Sequence, residues 1–268
     1  MACRPLPLEP VPDSLEPVPD SPEPAPTGVT PTGVAPAGQP RAAGRDQRAA
    51  WGRVAVAALA HPPGADFCAN QLPDGTTVVV VPVGSEPADR DLLRTELQLQ
   101  FAKLSAVSRY QRFFSAAAQL SPGLLHALVD TVDNANHVVL MVLALGRRED
   151  GDRISPVDEQ VHAEPIALAR FVRDAQDSQS ADVAITVFDD WQFRGVGKLL
   201  MVALAHSARR RGVTRFTADV LAENTAIRAL LHHVGVVTAC RAGDYYLSLT
   251  ISLCLASAAG GASNELGK

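Results

Sequence analysis

Hydrophobic and polar residues alternate along the chain with two different periods, which separate predicted strands from predicted helices. Runs rich in β-branched residues and bounded by glycine, proline or aspartate are typical of strands. They predict strands over residues 76–83, 137–145, 165–172, 183–188, 213–220, 236–240 and 245–253. Apolar residues that recur every three or four positions predict helices over residues 91–106, 121–131, 199–211 and 224–234. This order of elements indicates an α/β domain with a mixed sheet.

Both ends of the chain differ in composition from this region. The heptapeptide Leu-Glu-Pro-Val-Pro-Asp-Ser occupies residues 8–14 and again 15–21. Proline at this density blocks helices and sheets, so we expect residues 1–50 to be a disordered Pro- and Ala-rich tail. We expect a linker or a short helix over residues 51–75, since a helical pattern over 41–60 precedes a Pro-Pro-Gly break. The folded domain is expected over 76–253, and a flexible tail over 254–268.

Composition and charge argue against several functional classes. The chain has 268 residues, of which 47% are hydrophobic, enough for a packed domain, and its formal net charge of −5 does not favour nucleic-acid binding. The strongest apolar run, residues 138–145, is far shorter than the ~20 residues of a membrane-spanning helix, and no export signal is evident. The four cysteines lack metal-ligand spacing. We therefore expect a cytoplasmic protein with no membrane, nucleic-acid or metal partner, and the sequence sets no oligomeric state.

The segment over residues 182–198 contains the best candidate for a ligand-binding loop. Its β-branched run stops at two aspartates, and a loop with Gly195 and Gly197 follows before the helical pattern that begins at Leu199. Glycines at a helix N-terminus let backbone N–H groups approach a ligand closely. The helix dipole adds a preference for an anion. The segment therefore predicts a phosphate-binding loop.

The spacing within this loop excludes two common phosphate-binding motifs. A P-loop requires Ser or Thr after Lys198, but Leu199 follows it. A dinucleotide fingerprint requires a third glycine where Leu200 stands. The remaining pattern, Gln-x-x-Gly-x-Gly from Gln192 to Gly197, resembles the signature of the GNAT superfamily of N-acetyltransferases. In that family the loop amides hold the diphosphate of acetyl-coenzyme A (acetyl-CoA).

Two further segments resemble the GNAT branch that contains the bacterial protein lysine acetyltransferases. They are Leu-Ser-x-x-Ser-Arg-Tyr-x-Arg-Phe-Phe over residues 104–114 and Glu-Pro-Ile-Ala-Leu-Ala-Arg-Phe-Val-Arg over residues 164–173. The resemblance spans residues 76–253 and implies a GNAT-like fold with a mostly antiparallel central sheet flanked by helices. Some members carry a cyclic-nucleotide-binding domain, but the stretch before residue 76 is too short and proline-rich for one.

The activity that this resemblance implies is acetyl transfer from acetyl-CoA, as co-substrate, to an amine by direct attack. A protein lysine is the first choice of acceptor, and a small-molecule amine is the second. A non-catalytic acyl-CoA-binding protein that regulates a partner is a third possibility.

The resemblance also implies roles for individual residues. Asp182 lies ten residues before the glutamine, where the branch has a catalytic glutamate. We expect Asp182 to act as general base, through a bridging water because aspartate is one methylene shorter; a solvated acidic residue at a strand edge is the alternative. The candidate cofactor-binding residues are Ile185 and Val187 through the strand backbone, Gln192, Phe193, Arg194, Gly195, Val196, Gly197 and Lys198 in the loop, and Asn224. Asn224 either contacts the pantetheine arm or only caps a helix.

One position departs from the catalytic pattern of the family. Many GNAT enzymes have a tyrosine seven residues after the asparagine, which protonates the leaving thiolate, whereas this chain has Leu231. Tyr245 and Tyr246 lie nearby in sequence but do not match the motif. The adjacent His232 and His233 lack other ligands at metal spacing, so we expect them on a helix surface.

Overall fold

The computed structural model of the protein describes residues 40–60, 68–114, 119–146, 162–241 and 245–253. Of the two predicted tails, only residues 40–50 and none of residues 254–268 fall within these ranges. The described residues form six α-helices: α1 (Pro40–Leu59), α2 (Pro87–Lys103), α3 (Ala106–Phe113), α4 (Pro122–Leu125), α5 (Val196–Arg210) and α6 (Thr225–Leu231). A π-helical turn (His126–Asp130) continues α4, and a 3-10 turn (Asp189–Trp191) precedes α5. None of these helices is long and apolar enough to cross a membrane.

Eight strands form one sheet. They are β1 (Cys68–Gln71), β2 (Thr77–Pro82), β3 (His137–Leu145), β4 (Ala163–Arg173), β5 (Ser180–Val187), β6 (Arg215–Leu221), β7 (Gly235–Arg241) and β8 (Tyr246–Leu253). Their order across the sheet is β1-β2-β3-β4-β5-β6-β8-β7. All neighbouring pairs are antiparallel except β5 and β6, which are parallel. The predicted mixed fold, with a mostly antiparallel sheet flanked by helices, is confirmed.

The parallel pairing between β5 and β6 is short. It begins with Ser180 opposite Arg215 and ends with Asp182 opposite Thr217. Beyond this point β5 remains paired with β4 as far as Val187, whereas β6 remains paired with β8. The two strands therefore separate in the middle of the sheet. We call this opening the β5–β6 fork.

Helices cover both faces of the sheet, which explains why β3 is apolar along nearly its whole length. All residues from His137 to Leu145 are buried. On one face Leu140 packs in a core that includes Leu204 of α5. On the other face Met141 packs in a second core that includes Trp51 of α1. Successive β3 residues thus enter different cores, as the period of a strand requires.

Helix α1 belongs to the folded part of the chain. Trp51, Ala55 and Ala58 are spaced by four and three residues, so they share one helix face, and all three are buried in the second core. The Trp51 indole N–H also donates a hydrogen bond to the Glu96 carboxylate of α2, at 3.0 Å. We expected a tail up to residue 50, a linker or a short helix over 51–75, and a domain from residue 76. The helix is present, but α1 begins at Pro40, and both α1 and β1 are part of the fold before residue 76. The small side chains of the alanines let α1 pack against the sheet. The amino-acid composition of this segment does not by itself predict that packing.

We predict that Trp51→Ala lowers the free energy of unfolding by about 3–5 kcal/mol, because it removes a fully buried aromatic side chain. The loss would be measured by chemical denaturation. Arg53→Ala on the exposed face of the same helix is the matched control, and we expect a change within about 0.5 kcal/mol. Equal effects of the two substitutions would mean that α1 does not pack as described.

Candidate active site

The β5–β6 fork opens into a cleft that extends between the two strands. The cleft has a volume of about 270 Å³, and its walls come from α3, β4, β5, α5, β6 and α6. Its lining side chains include Arg112, Arg170, Asp182, Asp219, Asn224 and Leu231. The short parallel pairing of β5 with β6 therefore creates a concave site that brings together polar side chains distant in sequence.

The edge of β5 that faces the cleft carries backbone groups without a strand partner. The Phe188 N–H, just beyond β5, donates to the Ile166 carbonyl at the β4 side, at 3.1 Å. Backbone groups of successive strand residues point to opposite edges. The N–H groups of Ile185 and Val187 therefore point away from β4, towards the fork, where β6 no longer pairs. Both residues also line the cleft.

The predicted phosphate-binding loop turns the chain from β5 into α5. Phe193 and Gly195 adopt positive φ angles of 59° and 85°. Only glycine adopts such angles without strain, so Gly195 suits this turn. The helix begins directly after it, at Val196.

The N-terminus of α5 is not capped by a side chain. The residue at the capping position is Gly195, and the first helical hydrogen bond runs from the Leu199 N–H to the Gly195 carbonyl, at 3.1 Å. The N–H groups of residues 196–198 precede this bond and have no acceptor within the helix. At Gly197 an added Cβ would lie 3.4 Å from a Leu230 methyl group and 3.5 Å from a Val187 methyl group, which are ordinary contact distances. This arrangement offers partial positive charge to an anion.

The charged and aromatic side chains of this loop lie at the surface. Arg194 approaches the Asp74 carboxylate at 3.4 Å and lies over the Trp191 ring, 5.1 Å from its centroid. Phe193 is 95% exposed, and Lys198 is exposed on the first turn of α5. The loop thus combines main-chain donors with two cations, Arg194 and Lys198, that remain exposed to solvent.

Asp189 fastens the start of this loop to helix α3. Its carboxylate accepts hydrogen bonds from the Ser105 N–H, at 2.7 Å, and from the Ser108 hydroxyl. Partial burial alone would raise the pKa of Asp189, but these hydrogen bonds hold it below its ordinary value. The Gln192 amide completes the contact by donating to the Asp189 carboxylate at 3.0 Å and to the Val187 carbonyl at 3.1 Å. The two serines of the Leu-Ser-x-x-Ser segment therefore anchor the loop.

Asp182, the expected base, lies where β5 and β6 separate. Its side chain is open to the cleft, and no hydrogen bond or ion pair to its carboxylate occurs among the described residues. The surrounding protein removes much of its hydration, and this desolvation raises the pKa of Asp182. The positive charges of Arg170 and Arg112 oppose the rise, and Asp219 adds to it. A carboxylate with a raised pKa and no partner is suited to accept a proton.

Arg112, Arg170 and Asp219 belong to this site but were not recognised as site residues from the sequence. Arg112 donates from Nε to the Thr186 hydroxyl at 3.1 Å, and desolvation together with Arg170 lowers its pKa to about 10. The Nε atom of Arg170 is buried, and no described residue accepts its hydrogen bond. The available signal was a charged residue inside an apolar strand pattern, since Arg170 follows Ile-Ala-Leu-Ala and Asp219 lies between two apolar residues.

The two remaining positions of the family pattern lie at the start and the end of α6. The Asn224 side chain accepts a hydrogen bond from the Ile227 N–H at 3.1 Å, so it caps α6, and it also lines the cleft. Leu231 is buried and gives its cleft wall an apolar surface. Tyr246 does not line the cleft, because its ring packs against Phe114, with centroids 5.3 Å apart.

Within the described ranges, no group of three or more His, Cys, Asp or Glu residues is arranged to hold a metal ion. His232 and His233, just after α6, are exposed. Their surface position agrees with the interpretation of this pair from the sequence.

We predict that Asp189→Ala lowers the free energy of unfolding by about 1 kcal/mol, because it removes three hydrogen bonds to a charged but largely exposed group. Chemical denaturation near pH 7 would measure the loss. Because the folded-state pKa of Asp189 is lowered, its contribution is complete above about pH 4 and disappears as the pH falls further. Asp190→Asn is the control, and a loss as large as that of Asp189→Ala would contradict the anchoring role.

Known proteins resemble this chain over the same elements. The family model "Acetyltransferase (GNAT) family" matches residues 140–236, which extend from β3 to the start of β7. Acetyltransferase Pat of Mycolicibacterium smegmatis is 39% identical over 137 residues, which are 50% of this chain and 35% of Pat. The matched segment thus covers about a third of the length of that relative. Acetyltransferase PA5475 of Pseudomonas aeruginosa is 28% identical over 64% of this chain and 81% of its own length.

A solved structure shares the fold. The crystal structure of the GNAT domain of S. lividans PAT is 27% identical and superposes with a TM-score of 0.55. The match covers 72% of this chain and all of that domain. Together with the family match over residues 140–236, this similarity shows that the chain resembles the GNAT family of acetyltransferases in its fold and in the segment from β3 to the start of β7.

Proposed function

We propose that this protein transfers an acetyl group from acetyl-CoA to an amine by direct attack, and that the acceptor is a protein lysine. The observation that carries the proposal is the β5–β6 fork. Its cleft contains the inward-facing amides of β5 and the unpaired carboxylate of Asp182, and it is also lined by Gln192, which begins the loop leading to the uncapped amides at the α5 N-terminus. The diphosphate of the donor requires the amides at α5, and its thioester carbonyl requires the amides of β5. The amine acceptor requires the carboxylate.

The α5 N-terminus fits the diphosphate. The N–H groups of residues 196–198 supply donors, and Arg194 and Lys198 add positive charge at the surface. Gly195 keeps the turn free of a side chain, so that the main chain approaches the phosphates closely. The pantetheine arm would extend along the exposed edge of β5 and past the Asn224 side chain.

The chemical step requires a neutral amine and a polarised thioester. Asp182 takes a proton from the acceptor, directly or through water, and the amine nitrogen attacks the carbonyl carbon. The N–H groups of Ile185 and Val187 stabilise the negative charge that develops on the carbonyl oxygen. The C–N bond forms, the C–S bond breaks, and the second amine proton is lost to solvent. Leu231 supplies no proton, so the departing sulfur obtains its proton from solvent.

A polypeptide acceptor is supported by the surface beside the cleft. Val107 and Tyr110 on α3 are 65% and 44% exposed, and they border a groove next to the cleft residues of the same helix. The residues that flank a lysine would contact this apolar surface while its long side chain enters the fork.

The proposal is tested by mixing the purified protein with acetyl-CoA and following thiol release. Three arms contain a lysine peptide, a short alkylamine, or no acceptor. We expect release that depends on the peptide. Release with the alkylamine alone would reassign the acceptor, and tight acetyl-CoA binding without any acceptor-dependent release would indicate a non-catalytic binder.

We predict that Gly195→Val weakens acetyl-CoA binding by roughly tenfold or more, because a β-branched residue at φ 85° displaces the loop. Calorimetry would measure the dissociation constant. Gly212→Val is the matched control, since Gly212 has a similar φ of 82° at the opposite end of α5. Both variants are expected to lose stability, but only the first should lose affinity. Equal affinities would remove the loop from the binding site.

We predict that Asp182→Asn lowers kcat by roughly 10²–10⁴-fold and leaves the dissociation constant of acetyl-CoA unchanged, because it removes only the base. Steady-state kinetics and calorimetry measure the two quantities. Asp182→Glu should retain activity, since it restores the longer carboxylate of the family pattern. In the wild-type protein, activity should decline as the pH falls through the raised pKa of Asp182, at higher pH than for an ordinary aspartate. Unchanged turnover in Asp182→Asn would exclude it as the base.

A further inference from the structure

Asp219 lies on the wall of the cleft opposite the two arginines. Its neighbours Ala218 and Val220 are buried in the core, so the alternation along β6 turns the Asp219 side chain to the other face. That is the face of Thr217, which pairs with Asp182 at the fork. Asp182 and Asp219 therefore lie on the same side of the sheet, at the mouth of the same cleft.

Asp219 is held in place but is not neutralised. The Ser248 hydroxyl of β8 donates a hydrogen bond to one carboxylate oxygen, Oδ1, at 2.5 Å. Among the described residues no hydrogen bond or ion pair reaches the other oxygen, Oδ2. The side chain is exposed to solvent. One oxygen thus fixes the orientation while the other remains available to a ligand.

The charges of the cleft are divided between its walls. Arg112 and Arg170 lie on the side of α3 and β4, and Asp219 lies on β6. A cation that enters is repelled from the first side and attracted to the second. The side-chain amine of lysine has a pKa of about 10.4, so the species that reaches the cleft at neutral pH is the ammonium ion.

We propose that Asp219 is a positioning residue that holds the acceptor as its ammonium ion beside Asp182, before Asp182 accepts the proton. The proposal rests on the proposed acetyl transfer and deepens it, because it specifies aliphatic amines that are cationic at neutral pH. Asp219 takes no part in bond making. Its carboxylate adds affinity for the cation, and Ser248 orients it.

The kinetic test uses Asp219→Asn with acetyl-CoA and Nα-acetyl-lysine amide. We expect KM for the amine to rise by roughly tenfold, the effect of losing a hydrogen-bonded charge partner. The KM for acetyl-CoA should stay unchanged, and kcat should change by less than about threefold, because the base remains. Asp219→Glu should restore part of the affinity. Asp91→Asn removes an exposed charge on α2 that borders neither the cleft nor the groove beside α3, and it should change KM by less than about twofold.

A binding test separates this inference from the proposed function. NMR titration of the protein saturated with coenzyme A compares Nα-acetyl-lysine amide with the analogue whose amine is replaced by a hydroxyl group. We expect Asp219→Asn to weaken binding of the amine only. Equal binding of the two probes by the wild-type protein, or an unchanged affinity in Asp219→Asn, would overturn the role of Asp219. Absence of thiol release from the wild-type protein would instead contradict acetyl transfer, while the titration still reports on Asp219.

Discussion

The site depends on one interrupted interaction, the backbone pairing between β5 and β6. A strand in the middle of a sheet normally has both edges occupied, because unpaired buried N–H and C=O groups are costly. Here β5 loses one neighbour after Asp182, and its groups on that edge face a cleft instead of a strand. The Val187 carbonyl accepts a hydrogen bond from the Gln192 amide, and solvent or a ligand must satisfy the N–H groups of Ile185 and Val187. The site is thus a gap in the sheet itself, with walls as rigid as the strands that form them.

The fork remains open because each of its strands is held from outside. β5 continues its ladder with β4, and β6 is paired with β8 along its whole length. Buried apolar side chains such as Met201 and Leu231 form part of the walls of the cleft. Closing the fork would expose this packing and break both outer ladders. Preorganisation of the polar groups follows from this arrangement.

Most of the fold could be predicted from the sequence, because its signals are local. The continuous apolar run over 137–145 is β3 with the same bounds, and the Ser-Pro pair before α4 does start a helix. The helix after the glycine loop also begins within three residues of its predicted start. Strand order is not local, however. The separation of β5 from β6 depends on which other strand each of them pairs with. The spacing of hydrophobic residues along the chain does not specify these partners.

The candidate site was predictable only in part, for the same reason. The loop from Gln192 to Lys198 is contiguous, so its residues could be recognised together. Asp219 and Arg170 come from strands on either side of β5, and only the sheet brings them near Asp182. The hydrogen bonds of Asp189 to α3 span more than 80 residues in the chain. Such contacts are specified by tertiary packing. In the sequence they are indicated only weakly, for example by a polar residue within an apolar strand pattern.

The apolar side chain at Leu231 has a chemical consequence. If the cleft offers the leaving group no acid, the thiol must depart as an anion, and its intrinsic acidity governs how readily the tetrahedral adduct collapses forward. A donor built on a more acidic thiol would then react faster. The pKa of the pantetheine thiol would thus help to set the height of the activation barrier. In the proposed reaction, the apolar residue at 231 therefore makes the rate depend on the acidity of the donor's thiol, because no acid at this position protonates the leaving sulfur.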